Sequence, residues 1–143
     1  MMFLLLSFFA IPALGWFTNF DEAAKTAADK HRLILLNFSG SDWCGPCMRL
    51  KKEIFESKAF NDFASANLVL VNADFPRSNK NKLSGEQVKQ NETLADRYNA
   101  KGTFPLTLLL NAEGKIIQEW EGLPDNGSGQ YVQQLKALCD AHP

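Results

Sequence analysis

The chain reads as an α/β sandwich: a central mixed sheet with parallel strands and a C-terminal antiparallel hairpin, and helices on both faces. Three observations predict it. The runs Leu33-Ile34-Leu35-Leu36 and Leu68-Val69-Leu70-Val71 are short, apolar and unbroken, as strands buried on both faces must be. Helical patterns opened by capping residues separate these runs, so the strands they connect pair in parallel. Near the C-terminus, two extended segments flank Asn111-Ala112-Glu113-Gly114, a turn-rich connection of hairpin type.

Taken in order, Met1 to Leu14 is apolar and nearly uncharged, and Ala13-Leu14-Gly15 has the small-x-small form of a cleavage site. Residues 1–15 therefore read as a secretory signal. A globular helix would show a polar face, and this segment has none. No Lys or Arg precedes the apolar run, which is shorter than the roughly 20 residues a spanning helix needs. Cleavage near Gly15 and a retained membrane anchor are the two readings, and both place the chain outside the cytoplasm. Residues 16–143 suit one compact domain.

Asn19 with Glu22 resembles a capping box for an Ala-rich helix from about Phe20 to Lys30, with His31 at its negative end. Strand 33–38 follows. A helix from about Cys44 to Glu56 presents Met48, Leu50, Ile54 and Phe55 as its apolar face, with Arg49, Lys51, Lys52 and Glu53 outside it. A short helix spans Ala59 to Ala66, and strand 68–71 is closed by Asn72-Ala73-Asp74-Phe75-Pro76. Arg77 to Leu83 is polar and lysine-rich. Ser84 with Gln87 caps a helix ending near Tyr98 and Asn99, and Gly102 fits its stop. The hairpin strands are Phe104 to Leu110 and Lys115 to Trp120. Gly122 to Gly129 reads as loop before a closing helix whose Tyr131, Leu135, Leu138 and Cys139 share a face.

Composition narrows the function. Fifteen Lys and Arg balance sixteen Asp and Glu, and no aromatic and basic residues interleave as a stacking platform, so nucleic acid is not the expected partner. Three cysteines do not make a disulfide scaffold. Zinc usually wants four ligands; there is neither a second C-x-x-C nor a His pair at ligand spacing, so no metal is expected. Cys139 is read as a core-packing residue.

The chemistry concentrates at Trp43-Cys44-Gly45-Pro46-Cys47, where a buried strand delivers two thiols to a helix start. First-turn N–H groups and the positive end of the helix dipole stabilise a thiolate, making Cys44 the expected nucleophile. Cys47, one turn further in, can attack a mixed disulfide on Cys44 and is the expected resolving thiol. Pro46 fits the first helical turn.

W-C-G-P-C resembles the active-site motif of the thioredoxin superfamily, and Gly102-Thr103-Phe104-Pro105 before Leu106-Thr107-Leu108-Leu109-Leu110 resembles that superfamily's cis-proline loop and next strand. The resemblance covers about Asp21 to Leu138. It implies the thioredoxin fold, a cis Pro105 facing the cysteines, and the Phe104 backbone offered to an extended substrate peptide. Trp43, Gly45 and Pro46 complete the implied substrate surface. The implied redox group is the Cys44-Cys47 disulfide itself, without another cofactor.

Two departures from the superfamily pattern stand out. Asn37 occupies the place of a buried Asp, and Asn cannot take a proton from Cys47. Asp42, the nearest acid in sequence, reads either as a replacement base or as a solvated turn acid. The polar stretch from Asp74 to Lys101 is longer than in a minimal thioredoxin and could supply a partner surface. With the secretory start, these features resemble exported bacterial thioredoxin-like proteins and the thioredoxin-like domains of periplasmic reductases. The expectation is a periplasmic or otherwise exported monomer that reduces protein disulfides and is recharged by a membrane thiol-transfer donor. The Gly45-Pro46 dipeptide is that of the reducing members. A disulfide oxidase or isomerase, and a non-catalytic binding module with a permanent disulfide, are the alternatives.

Overall fold

A computed structural model describes residues 15–143; the expected signal segment, residues 1–14, lies outside the described residues. Five strands form one sheet in the order β1-β3-β2-β4-β5: β1 (Trp16–Phe17), β2 (Leu33–Ser39), β3 (Leu68–Asp74), β4 (Leu106–Leu110) and β5 (Ile116–Glu121). β3 runs parallel to both β1 and β2, whereas β4 is antiparallel to β2 and to β5. This is the mixed sheet with a C-terminal hairpin that the sequence predicts.

Alternation along the strands sends side chains to two cores. On one face, Ile34, Leu36 and Phe38 pack with Val69, Val71, Leu106 and Leu108 under α1 (Phe20–Lys30) and α4 (Gly85–Tyr98). On the other, Leu33, Leu35, Leu70 and Leu109 lie under α2 (Gly45–Leu50), α3 (Lys58–Asn67) and α5 (Gly127–Ala141). All seven residues of β2 are buried, and each fully buried Leu or Ile contributes about 1.5–3 kcal/mol of hydrophobic stabilisation. That explains why β2 carries no polar alternation until Asn37.

Local chemistry sets the helix boundaries. Asn19 accepts the Glu22 N–H at 3.1 Å and Ser84 that of Gln87 at 3.1 Å, each satisfying a first-turn donor. His31 ends α1 in the left-handed region at φ 54° and donates its N–H to Ala27 and Ala28 carbonyls. Ser57 starts α3 in the same way, accepting from Phe60.

Several elements differ from the sequence reading. The helix expected to run unbroken from Cys44 to Glu56 is α2 followed by a π-helical segment, Lys51–Phe55, closed by the Glu56 N–H on the Lys51 carbonyl at 2.9 Å. The wider turn lets Leu50, Ile54 and Phe55 all face the core. Met48 leaves that apolar face and is 45% exposed, because the inward stripe is Cys47, Leu50 and Ile54. Strand β3 continues to Asp74, since pairing with β2 through Ser39↔Asp74 holds its polar end. Helix α4 ends at Tyr98 with Asn99 as its cap, as expected, but Gly102, at φ 68°, turns the following loop and does not stop the helix. Strand β4 starts at Leu106, two residues after Phe104. Helix α5 opens at Gly127, inside the expected loop, where Gly, Ser and Gly hide the start. The two-residue β1 carries no periodicity to read; Trp16 is fixed by tertiary packing on Phe55 and Phe60. No helix among the described residues is long and apolar enough to cross a membrane.

Candidate active site

The first four residues past β2 build the platform for the motif. Gly40 accepts N–H groups from Trp43 and Cys44, at 3.3 and 2.9 Å, folding the chain into a tight turn. A Cβ on Gly40 would collide with the Trp43 indole, so this close approach requires glycine. The turn delivers Cys44 to the N-cap of α2 with φ −99° and ψ 105°, and Pro46 occupies the first helical turn.

Cys44 and Cys47 are joined as a disulfide, with Cα atoms 5.2 Å apart. Cys44 Sγ accepts the Cys47 N–H at 3.3 Å, the position of a capping oxygen. Cys47 Sγ accepts the Gly40 N–H at 3.5 Å. In the reduced state, the backbone N–H and the positive helix end would favour a thiolate on Cys44. Gly45 and Pro46 between the cysteines are exposed.

The second strip of the site comes from the loop before β4. The Phe104–Pro105 peptide is cis; Pro105 is buried and Phe104 half-buried. Phe104 meets Trp43 edge-on, with ring centroids 5.4 Å apart, and meets Phe75 in the same manner at 5.4 Å. These contacts bring the proline loop beside the cysteine motif, although the two are far apart in sequence. Asn99 fastens the loop from behind, accepting the Thr103 N–H and donating to the Thr103 carbonyl, both at 2.9 Å.

A third strip, after β3, carries residues that sequence reasoning missed. Trp43 Nε1 donates to the Phe75 carbonyl at 2.7 Å, and the Arg77 guanidinium lies 3.7 Å from the centroid of the same indole. Asp74 accepts the Ser41 N–H at 3.0 Å. Their only sequence signal is the turn chemistry of Asn72-Ala73-Asp74-Phe75-Pro76; the parallel register of β2 and β3 is what brings the two strand ends together.

Asp42 resolves the choice between base and turn acid in favour of the turn. Its carboxylate accepts the N–H groups of Arg77 and Ser78, both at 2.9 Å, and the Asn81 side-chain amide at 3.0 Å. The Arg77 N–H first, then Asn81 and Ser78, hold its carboxyl below the usual carboxylate range.

Beneath the motif, Asn37 is buried, accepts from Thr107 Oγ1 at 3.1 Å and reaches Asn72 at 3.5 Å. An open cavity of about 540 Å³ connects this amide layer to Cys47, with Met48, Lys51 and Glu56 along its wall. Nearby, the Tyr131 hydroxyl is buried, with no well-formed hydrogen bond among the described residues and only the Thr107 side chain beside it, and burial pushes its pKa far up. Cys139 stands apart on α5, half-buried against the second core, its thiol pushed up to about 11 by burial and by Asp140. Among the described residues no group of three or more His, Cys, Asp or Glu could hold a metal ion.

This architecture is matched by known proteins. The profile of the thioredoxin-like domain family matches residues 20–137. The chain is 35% identical over 124 residues to the disulfide bond reductase DsbH of Chlamydia pneumoniae, covering 87% of this chain and 72% of that protein. It is 30% identical over 106 residues to the thioredoxin-related protein DsbJ of Chlamydia pneumoniae, across 73% of this chain but only 29% of that longer protein. A solved DsbH oxidoreductase superposes with a TM-score of 0.80 at 33% identity, covering 89% of this chain and 85% of that one.

Proposed function

This chain belongs to the thioredoxin-like domain family and carries its thiol–disulfide oxidoreductase pair; from that premise we propose that it reduces disulfides of exported proteins, with Cys44 as nucleophile and Cys47 as resolving thiol. The observation that carries this reading is the Cys44 sulfur at the N-cap of α2, accepting the Cys47 N–H at 3.3 Å. The reducing direction draws on the Gly45-Pro46 dipeptide and on the name of the DsbH relative. The exported setting draws on the apolar start from Met1 to Leu14.

In the proposed cycle the Cys44 thiolate attacks a substrate disulfide, forming a mixed disulfide and releasing one substrate thiolate. Cys47, as thiolate, then attacks Cys44 Sγ, which forms the Cys44–Cys47 disulfide and releases the second substrate thiol. Two electrons pass from the protein dithiol to the substrate, and a membrane thiol-transfer donor, its own dithiol becoming a disulfide, supplies two more to restore the Cys44/Cys47 dithiol. An extended peptide would lie across Trp43, Gly45 and Pro46 on one side and the Phe104–Pro105 backbone on the other. Asn37 holds no exchangeable acid and its oxygen is engaged by Thr107, so the proton of Cys47 leaves through water in the adjoining cavity rather than to a buried carboxylate.

The test is the equilibrium reduction potential of the Cys44/Cys47 pair, read by thiol trapping across a graded thiol–disulfide buffer. The reductase reading expects a value near about −270 mV; one near about −120 to −180 mV would favour an oxidase or isomerase. A pair that never exchanges would leave a binding module.

A further inference from the structure

We propose that Arg77, stacked on Trp43 beside the thiols, is a specificity-determining residue that favours substrates bearing a carboxylate next to their reactive disulfide; this rests on the reductase reading above. The guanidinium covers the indole face at 3.7 Å. The ring holds the cation through its charge and uses none of its N–H donors, and a guanidinium offers those donors in the fork geometry that matches a carboxylate. Among the described residues Arg77 makes no ion pair with a carboxylate, and its side chain is exposed.

The position of this cation is fixed from three sides. Asp42 grips the Arg77 and Ser78 backbone N–H groups, Trp43 Nε1 is tied to the Phe75 carbonyl, and Phe75 packs on Phe104. An arginine on a free loop would lose much of its contact energy to ordering. Here the backbone is ordered before any substrate arrives. The stacked indole belongs to the residue preceding Cys44, so a peptide placing its disulfide on Cys44 brings neighbouring side chains to the guanidinium edge.

The local charge points the same way. Arg77, Lys80 and Lys82 lie within six residues containing no acid. The nearest carboxylates, Asp42 and Asp74, are already engaged by Arg77, Ser78 and Asn81 in one case and by Ser41 in the other. The free capacity on this rim is for an anion.

The experiment compares the reduced full chain acting on three synthetic peptides of one length, each with an internal disulfide flanked by Glu, by Ser or by Lys. The expected kcat/KM for the Glu peptide exceeds that for the Ser peptide about three- to fivefold, the scale of a partly exposed charge contact, and the preference shrinks in high salt. Arg77→Ala should bring the Glu-to-Ser ratio near one, and Arg77→Glu should move the preference to the Lys peptide. Equal rates for the three peptides with the unaltered chain would overturn the inference. So would an Arg77→Ala variant that slows all three by one factor, since that marks a general effect on the thiols or the fold. Failure of the unaltered chain to reduce any of the peptides would instead overturn the reductase reading, and this inference with it.

Discussion

Cys44 and Cys47 are almost equally hidden, at 5% and 4% exposure, so the roles proposed for them rest on position along the helix and not on accessibility. Cys44 sits at the N-cap and takes a backbone N–H, whereas Cys47 lies inside the first turn, next to the Asn37 cavity. Cys44→Ser should therefore abolish disulfide reduction, and Cys47→Ser should accumulate mixed disulfides with substrate. Mass analysis of trapped adducts reads the difference, and equal trapping by the two variants would contradict the assignment. Tyr131 offers a test of packing at the same scale. Its buried hydroxyl makes no well-formed hydrogen bond among the described residues, so Tyr131→Phe should leave urea stability unchanged or raise it by about 1 kcal/mol, whereas a loss of that size would show that the neighbouring Thr107 side chain or a bridging water holds it. The cysteines, Phe104 and Pro105 were readable as motif residues. Arg77 was not, because an arginine in a lysine-rich loop looks like any solvated cation until Trp43 is seen beneath it.

At the scale of elements, the loop 40–43 and the loop after β3 act as one unit stapled by Asp42. The carboxyl lies below its ordinary range in the folded chain. Its contribution is therefore fully present above the usual carboxylate value of about 3.9 and fades as pH falls through the depressed folded value. Asp42→Ala should speed amide exchange at Arg77 and Ser78 near neutral pH while the β2 and β3 amides keep their protection. Unchanged exchange at those two amides would mean the staple does not order the loop. The π-helical segment is the other lesson of this scale. Apolar spacing announced a helix from Cys44 to Glu56, but spacing alone could not announce that Leu50, Ile54 and Phe55 would share one wall by widening a turn and leaving Met48 outside.

At the scale of the molecule, the two cores meet on a sheet whose order follows from chain connections that sequence can suggest. Apolar runs fixed β2 and β3, the turn at 111–114 fixed the hairpin, and capping residues fixed the starts of α1 and α4 to within a residue or two. These are local signals, carried by hydrogen bonds and periodicities that span a few positions. The sequence by itself thus determined the fold class, the redox pair and the neighbouring proline loop. Only the tertiary structure decided that β1 exists, that Asp42 is a staple rather than a base, and that Trp43, Phe75, Phe104 and Arg77 form one surface beside the thiols. Each of those depends on residues 30 or more positions apart being brought together by strand register and side-chain packing, and no local pattern encodes such a meeting.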